Sequence, residues 1–135
     1  MVFVFGACSA SKNLKQDGLT VNKATTLSQK DEIQLKNLFF EASREKALNN
    51  YAAAQKYYEQ CIAIDPNHSA SIFELASIYQ TQSRFADAVM FMERAVALEP
   101  ANKWYLQSLA ILYEQTKQYE KGSKTYASLI EVNPK

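Results

Sequence analysis

Asp65-Pro66-Asn67, Glu99-Pro100-Ala101-Asn102 and Asn133-Pro134 place the three prolines of this 135-residue chain at a constant interval of 34 residues. An aromatic stands fifteen residues before each proline (Tyr51, Phe85, Tyr119), a small residue twelve before it (Ala54, Ala88, Gly122) and an alanine twenty-four before it (Ala42, Ala76, Ala110). Four columns agreeing in three copies define an internal repeat, and a period of this length signals stacked supersecondary units. A single unit cannot bury its apolar face alone, so the fold must follow from stacking.

Between the prolines the pattern is helical. Ser28, with Asp31 and Glu32 after it, offers a capping side chain and acidic groups to the unpaired N–H groups and positive dipole end of a helix. Ile33, Leu35, Leu38, Phe39 and Ala42 then recur at helical spacing. Helices are expected over 31–48, 51–64, 69–81, 85–98, 103–116 and 119–132, with turns at Asn49-Asn50 and Gln82-Ser83-Arg84. Each proline stands just past the second helix of a pair, which it cannot continue, and it pushes the residue before it out of α space. The alanine columns, facing Ala54, Ala88 and Gly122, belong where two antiparallel helices approach closely, since helix axes come within about 8–10 Å only over small residues. Cys61 shares a column with Ala95 and Leu129. It reads as a small buried hydrophobe.

Together these residues resemble the tetratricopeptide repeat, whose pattern runs W-x2-L-G-x2-Y, then A-x3-F, then P. The second repeat has Ile72-x2-Leu75-Ala76-x2-Tyr79, Ala88-x3-Met92 and Pro100, and the third has Leu106-x2-Leu109-Ala110-x2-Tyr113, Gly122-x3-Tyr126 and Pro134. The first departs furthest, as Leu38-x2-Glu41-Ala42-x2-Glu45, Ala54-x3-Tyr58 and Pro66. Glu41 and Glu45 in place of Leu and Tyr suit a face with no neighbour, so this repeat is expected to begin the array. The resemblance implies an all-α solenoid of three antiparallel helix pairs in a right-handed superhelix, with units at about 35–68, 69–102 and 103–135.

The resemblance also implies where a partner would lie. In this family the first helix of each pair lines the inner, concave wall. The corresponding candidates are Phe39, Ser43 and Lys46; then Phe73, Glu74, Ser77 and Gln80; then Trp104, Gln107, Ser108 and Ile111. Three helices side by side make a wall of roughly 20 Å, the reach of about six extended residues. That suits an extended peptide or a partner protein. The lysine, asparagine and arginine with which some members hold a terminal carboxylate are missing, because those slots carry Phe39, Ser43, Glu74, Ser77 and Ser108. Trp104, the sole tryptophan, is the strongest single candidate.

Composition narrows the function classes. Residues 1–30 carry four lysines against Asp17, and residues 31–135 carry eleven basic against thirteen acidic side chains, so the repeats sit near −2. A nucleic-acid binder would show a basic face instead. A lone histidine, His68, gives no pair for a metal and no base for a nucleophile, and its place between repeats suggests a solvated turn residue. Gly6, Gly18 and Gly122 are isolated, which leaves no phosphate-binding loop. No catalytic residue, metal or cofactor is therefore expected, and the chain reads as a non-catalytic scaffold. The alternative is a docking segment of a larger enzyme or signalling protein whose catalytic domain follows Lys135.

The termini add two expectations. Met1-Val2-Phe3-Val4-Phe5-Gly6-Ala7-Cys8 resembles the end of a bacterial lipoprotein signal, an apolar run leading through small residues to a cysteine that takes the lipid. It lacks the basic start and has seven residues before Cys8, so an apolar stretch with an unmodified cysteine competes with it. On the first reading, residues 1–8 are residual signal, 9–30 a flexible polar tether, and 31–135 an array anchored at the cell envelope; on the second the array is a cytoplasmic adaptor. At the other end Pro134 marks a junction, and Tyr126, Leu129 and Ile130 are left partly uncovered. The array is expected to continue in a longer protein or to self-associate through this repeat.

Overall fold

A computed structural model describes residues 26–132. Six helices follow in order: α1 (Gln29–Ala47), α2 (Tyr51–Ile64), α3 (Ser69–Thr81), α4 (Phe85–Leu98), α5 (Lys103–Gln115) and α6 (Tyr119–Val132). No strand occurs among the described residues. Cys8, most of the expected tether and the junction at Pro134 lie outside them.

Three helix bounds differ from the sequence expectation, and capping explains them. α1 begins at Gln29 because Ser28 is its N-cap, accepting the backbone N–H of Asp31 at 3.1 Å. α1 and α5 stop at Ala47 and Gln115 because Leu48 and Thr116 are already C-caps. Past each C-cap the chain turns through a residue in left-handed space: Asn49, Ser83 and Lys117, each at φ 60°. Asn49, Ser83 and Lys117 donate to the carbonyls of Lys46, Gln80 and Glu114, and Asn50, Arg84 and Gln118 donate back to Glu45, Tyr79 and Tyr113. This paired pattern satisfies the carbonyls that a helix end leaves orphaned. It recurs at the 34-residue interval of the prolines.

Between repeats the chain uses a different device. His68 N–H donates to the Asp65 carbonyl at 3.1 Å and Asn102 N–H to the Glu99 carbonyl at 3.0 Å, each closing a four-residue turn whose second residue is Pro66 or Pro100. The fourth residue of each turn caps the next helix. Proline thus ends one unit and sets the start of the next within four residues.

Packing is between chain neighbours. α1 lies on α2, α3 on α4 and α5 on α6 within repeats, and α2 meets α3 and α4 meets α5 between them. Ala42, Ala54, Ala76, Ala88, Ala95 and Ala110 are fully buried at the crossings. Tyr58, Ile72, Leu75, Ile78, Met92 and Leu112 fill the space around them. Repeat one has a wetter outer face, as Glu41 and Glu45 suggest: Arg44 pairs with Glu41 at 2.8 Å and with Glu45 at 3.1 Å. Cys61 is fully buried and its thiol donates to the Leu35 carbonyl at 3.8 Å. Burial pushes that thiol up from its ordinary value, away from the thiolate a nucleophile needs.

Candidate functional site

The candidate wall is built from α1, α3 and α5, and cross-repeat contacts join the three helices. Lys46 on α1 pairs with Glu74 on α3. Gln80 on α3 donates to Gln115 on α5 at 2.7 Å. Phe73 stacks on Tyr105 at 4.6 Å with 18° between ring planes. Each contact bridges one repeat to the next, so the candidates form a single surface.

Within that surface the residues divide by what already occupies them. Phe39 is half-buried, edge-on to Tyr58 at 5.6 Å and to His68 at 5.4 Å. Ser43 donates to the Phe39 carbonyl at 2.9 Å and lies 3.2 Å from the Tyr58 hydroxyl. Ser77 donates to the Phe73 carbonyl at 3.1 Å. Burial raises the Tyr58 phenol to about 12, against a smaller opposing effect of the Ser43 hydrogen bond. Phe39, Ser43, Phe73 and Ser77 therefore hold the wall together, and Lys46 and Glu74 neutralise one another. The residues still open are on α5: Trp104 is 64% exposed, Ile111 is 37% exposed, and Gln107 is also exposed. Ser108 is intermediate. Lys103 Nζ sits 5.2 Å from the Trp104 ring centroid and leaves most of the ring accessible.

At the other end of the wall lies a concavity of about 430 Å³, lined by Glu32, Leu35, Lys36, Phe39, Phe40, Ser43 and His68. Five of these residues lie outside the candidates named from sequence: Glu32, Leu35, Lys36, Phe40 and His68. Phe40 is 67% exposed. A signal for it existed, because Phe40 stands 34 residues before Glu74 and 68 before Ser108, in a column otherwise assigned to the wall. Lys36 likewise shares the column of Trp104.

His68 is not the solvated turn residue its position suggested. It is the N-cap of α3: Nδ1 accepts the Ser71 N–H at 3.3 Å and lies 2.7 Å from the Ser71 hydroxyl. Desolvation by burial lowers its pKa from the ordinary value against the opposing pull of Asp65 and Glu99, which favours the neutral ring. A capping oxygen would normally stand here, and the neutral imidazole nitrogen supplies the same acceptor. Among the described residues no group of three or more metal-ligating side chains gathers, and no helix is long and apolar enough to cross a membrane.

Three profiles of the tetratricopeptide repeat match the chain, over residues 45–68, 57–90 and 79–135. No curated protein matches it by sequence. Among solved structures it resembles MamA, at TM-score 0.69 and 16% identity over 73% of this chain and 57% of that one. It also resembles an O-GlcNAc transferase mutant of Thermobaculum terrenum, at TM-score 0.72 and 21% identity over 80% of this chain. A third is the first such domain of Spaghetti (RPAP3), solved bound to an HSP90 peptide, at TM-score 0.70 and 20% identity over 76% of this chain and 81% of that one. The chain spans little more than half of MamA and 21% of the transferase. At these identities the likeness is one of fold.

Proposed function

The chain belongs to the tetratricopeptide repeat family, and from that premise we propose that it is a non-catalytic scaffold holding an extended stretch of a partner protein along α1, α3 and α5. The observation that carries this reading is Trp104. A tryptophan left 64% exposed beside exposed Gln107 and Ile111 is an expensive surface to leave in water, and tryptophan is favoured among residues that dominate binding. The peptide-bound state of the RPAP3 domain supports the same use of the fold. Lys46 and Glu74 satisfy each other, so the middle of the wall favours an uncharged segment over an acidic tail. Trp104→Ala is expected to weaken a genuine partner by roughly 2 kcal/mol, about thirtyfold in Kd, with helical circular dichroism unchanged. An unaltered affinity would sink the assignment.

A second reading has one observation behind it: a similar array forms part of a glycosyltransferase chain. On that reading the wall docks substrates for a catalytic domain encoded beyond Lys135, and the downstream gene sequence decides between the two. Tethering to a bacterial envelope membrane through a lipid on Cys8 belongs to the proposal as well. Mass spectrometry of the mature N-terminus tests it, since an unmodified Cys8 would place the scaffold elsewhere.

A further inference from the structure

The pocket between α1 and the cap of α3 has three properties that together describe an occupant. Its floor and lip are apolar, formed by Leu35, Phe39 and Phe40, with the Phe40 ring 67% exposed. At about 430 Å³ it is the size of a small-ligand cleft and is open to solvent, with room for one large side chain. Its rim carries one carboxylate and one ammonium, Glu32 and Lys36, four residues apart on α1 and so about 6 Å apart on one helix face. Neither is in an ion pair with another described residue.

His68 adds a polar contact. Because Nδ1 accepts from Ser71, the neutral ring carries its proton on Nε2. Nε2 makes no hydrogen bond among the described residues, and no buried side-chain nitrogen there lacks a partner, so this N–H is open to solvent. The charges around the ring are negative or balanced: Asp65 in its own turn, Glu99 from the turn before α5, and Glu32 with Lys36 on α1.

We propose that this pocket seats one uncharged apolar side chain, of leucine, methionine or phenylalanine size, from the interior of an extended partner segment, with Phe40 covering it. This rests on the wall being the binding surface. The rim has no net charge, and its ammonium and carboxylate complement the C=O and N–H that flank any side chain in an extended strand. With Lys36 offsetting Glu32, the charges of Asp65 and Glu99 beside His68 leave the surroundings negative, which disfavours a C-terminus or an acidic residue. The segment would run from this anchor along α3 toward Trp104.

The test is a heteronuclear NMR titration of the whole chain with acetyl-Gly-Phe-Gly-amide and, separately, acetyl-Gly-Asp-Gly-amide. The phenylalanine peptide should move the signals of Phe39, Phe40 and His68 saturably, and the aspartate peptide should bind at least about tenfold more weakly. Phe40→Ala, which removes an exposed ring and leaves the core intact, should weaken the phenylalanine peptide about fivefold, and Phe40→Leu should restore most of the loss. Equal binding of both peptides, or a Phe40→Ala variant that binds normally, overturns the pocket. Saturation centred on Trp104 and Ile111 with Phe40 silent also overturns it while leaving the wall as the binding surface. The wall itself is judged separately, by Trp104→Ala against a whole partner.

Discussion

Gly122 shows how much of the small-residue column is obligatory. A Cβ built there would lie 3.5 Å from Tyr113 Cβ and 3.7 Å from the Ala110 carbonyl, which is ordinary contact. Glycine in a helix interior costs roughly 0.5–1 kcal/mol relative to alanine, so Gly122→Ala should stabilise the protein by about that amount in urea unfolding. The opposite holds at Ala76, fully buried between repeats. Ala76→Leu should cost about 1–3 kcal/mol by overpacking. His68 gives a pH dependence with a definite sign. Its folded-state pKa is lowered by burial, so its contribution is complete above the ordinary histidine value and is lost as pH falls from there through the folded value, where the unfolded chain takes up the proton first. Stability should therefore drop between pH 7.5 and 5 by up to about 1 kcal/mol, the worth of an N-cap. His68→Asn keeps a capping acceptor and should remove that component, a comparison read from denaturation at the two pH values.

The helix ends show what was legible in the sequence and what was not. α2, α3, α4 and α6 could be bounded from sequence, because prolines and aromatic columns fix their limits. The left-handed residues could not. Asn49, Ser83 and Lys117 share no chemistry and none is glycine, so only their common backbone position reveals the repeated turn. Left-handed backbone is strained for a residue with a Cβ. Lys117→Gly should therefore gain about 0.5–1 kcal/mol in thermal or urea unfolding, and a loss would mean that the Lys117 side chain contributes more than its strain costs. The wall was legible as columns but not as accessibility. Phe73 and Trp104 are both aromatic wall candidates from sequence, yet Phe73 stacks on Tyr105 while Trp104, the stronger candidate, is open. Which aromatic is free depends on what the next repeat places opposite it, a distance the period alone does not encode. Phe40 shares a column with the wall candidates Glu74 and Ser108, so its position is legible from the period although its side-chain type is not.

At the scale of the whole molecule, each helix packs on its neighbours in the chain. Stability is then close to a sum of repeat and interface contributions. The cross-repeat links, Lys46 with Glu74, Arg94 with the Pro66 carbonyl and Gln80 with Gln115, lie at these interfaces. A wall whose central charges are already paired predicts weak salt dependence: affinity for a partner should change less than about threefold between 0.05 and 0.5 M NaCl, because few counterions or long-range fields are involved. The central claim, that α1, α3 and α5 carry the partner, is tested most directly by placing a photo-crosslinking residue at position 40, 104 or 111 and, as a control, at exposed Met90 on α4. One and the same partner should be captured from the three wall positions and not from position 90. Capture from position 90 with silence from all three wall positions would contradict it.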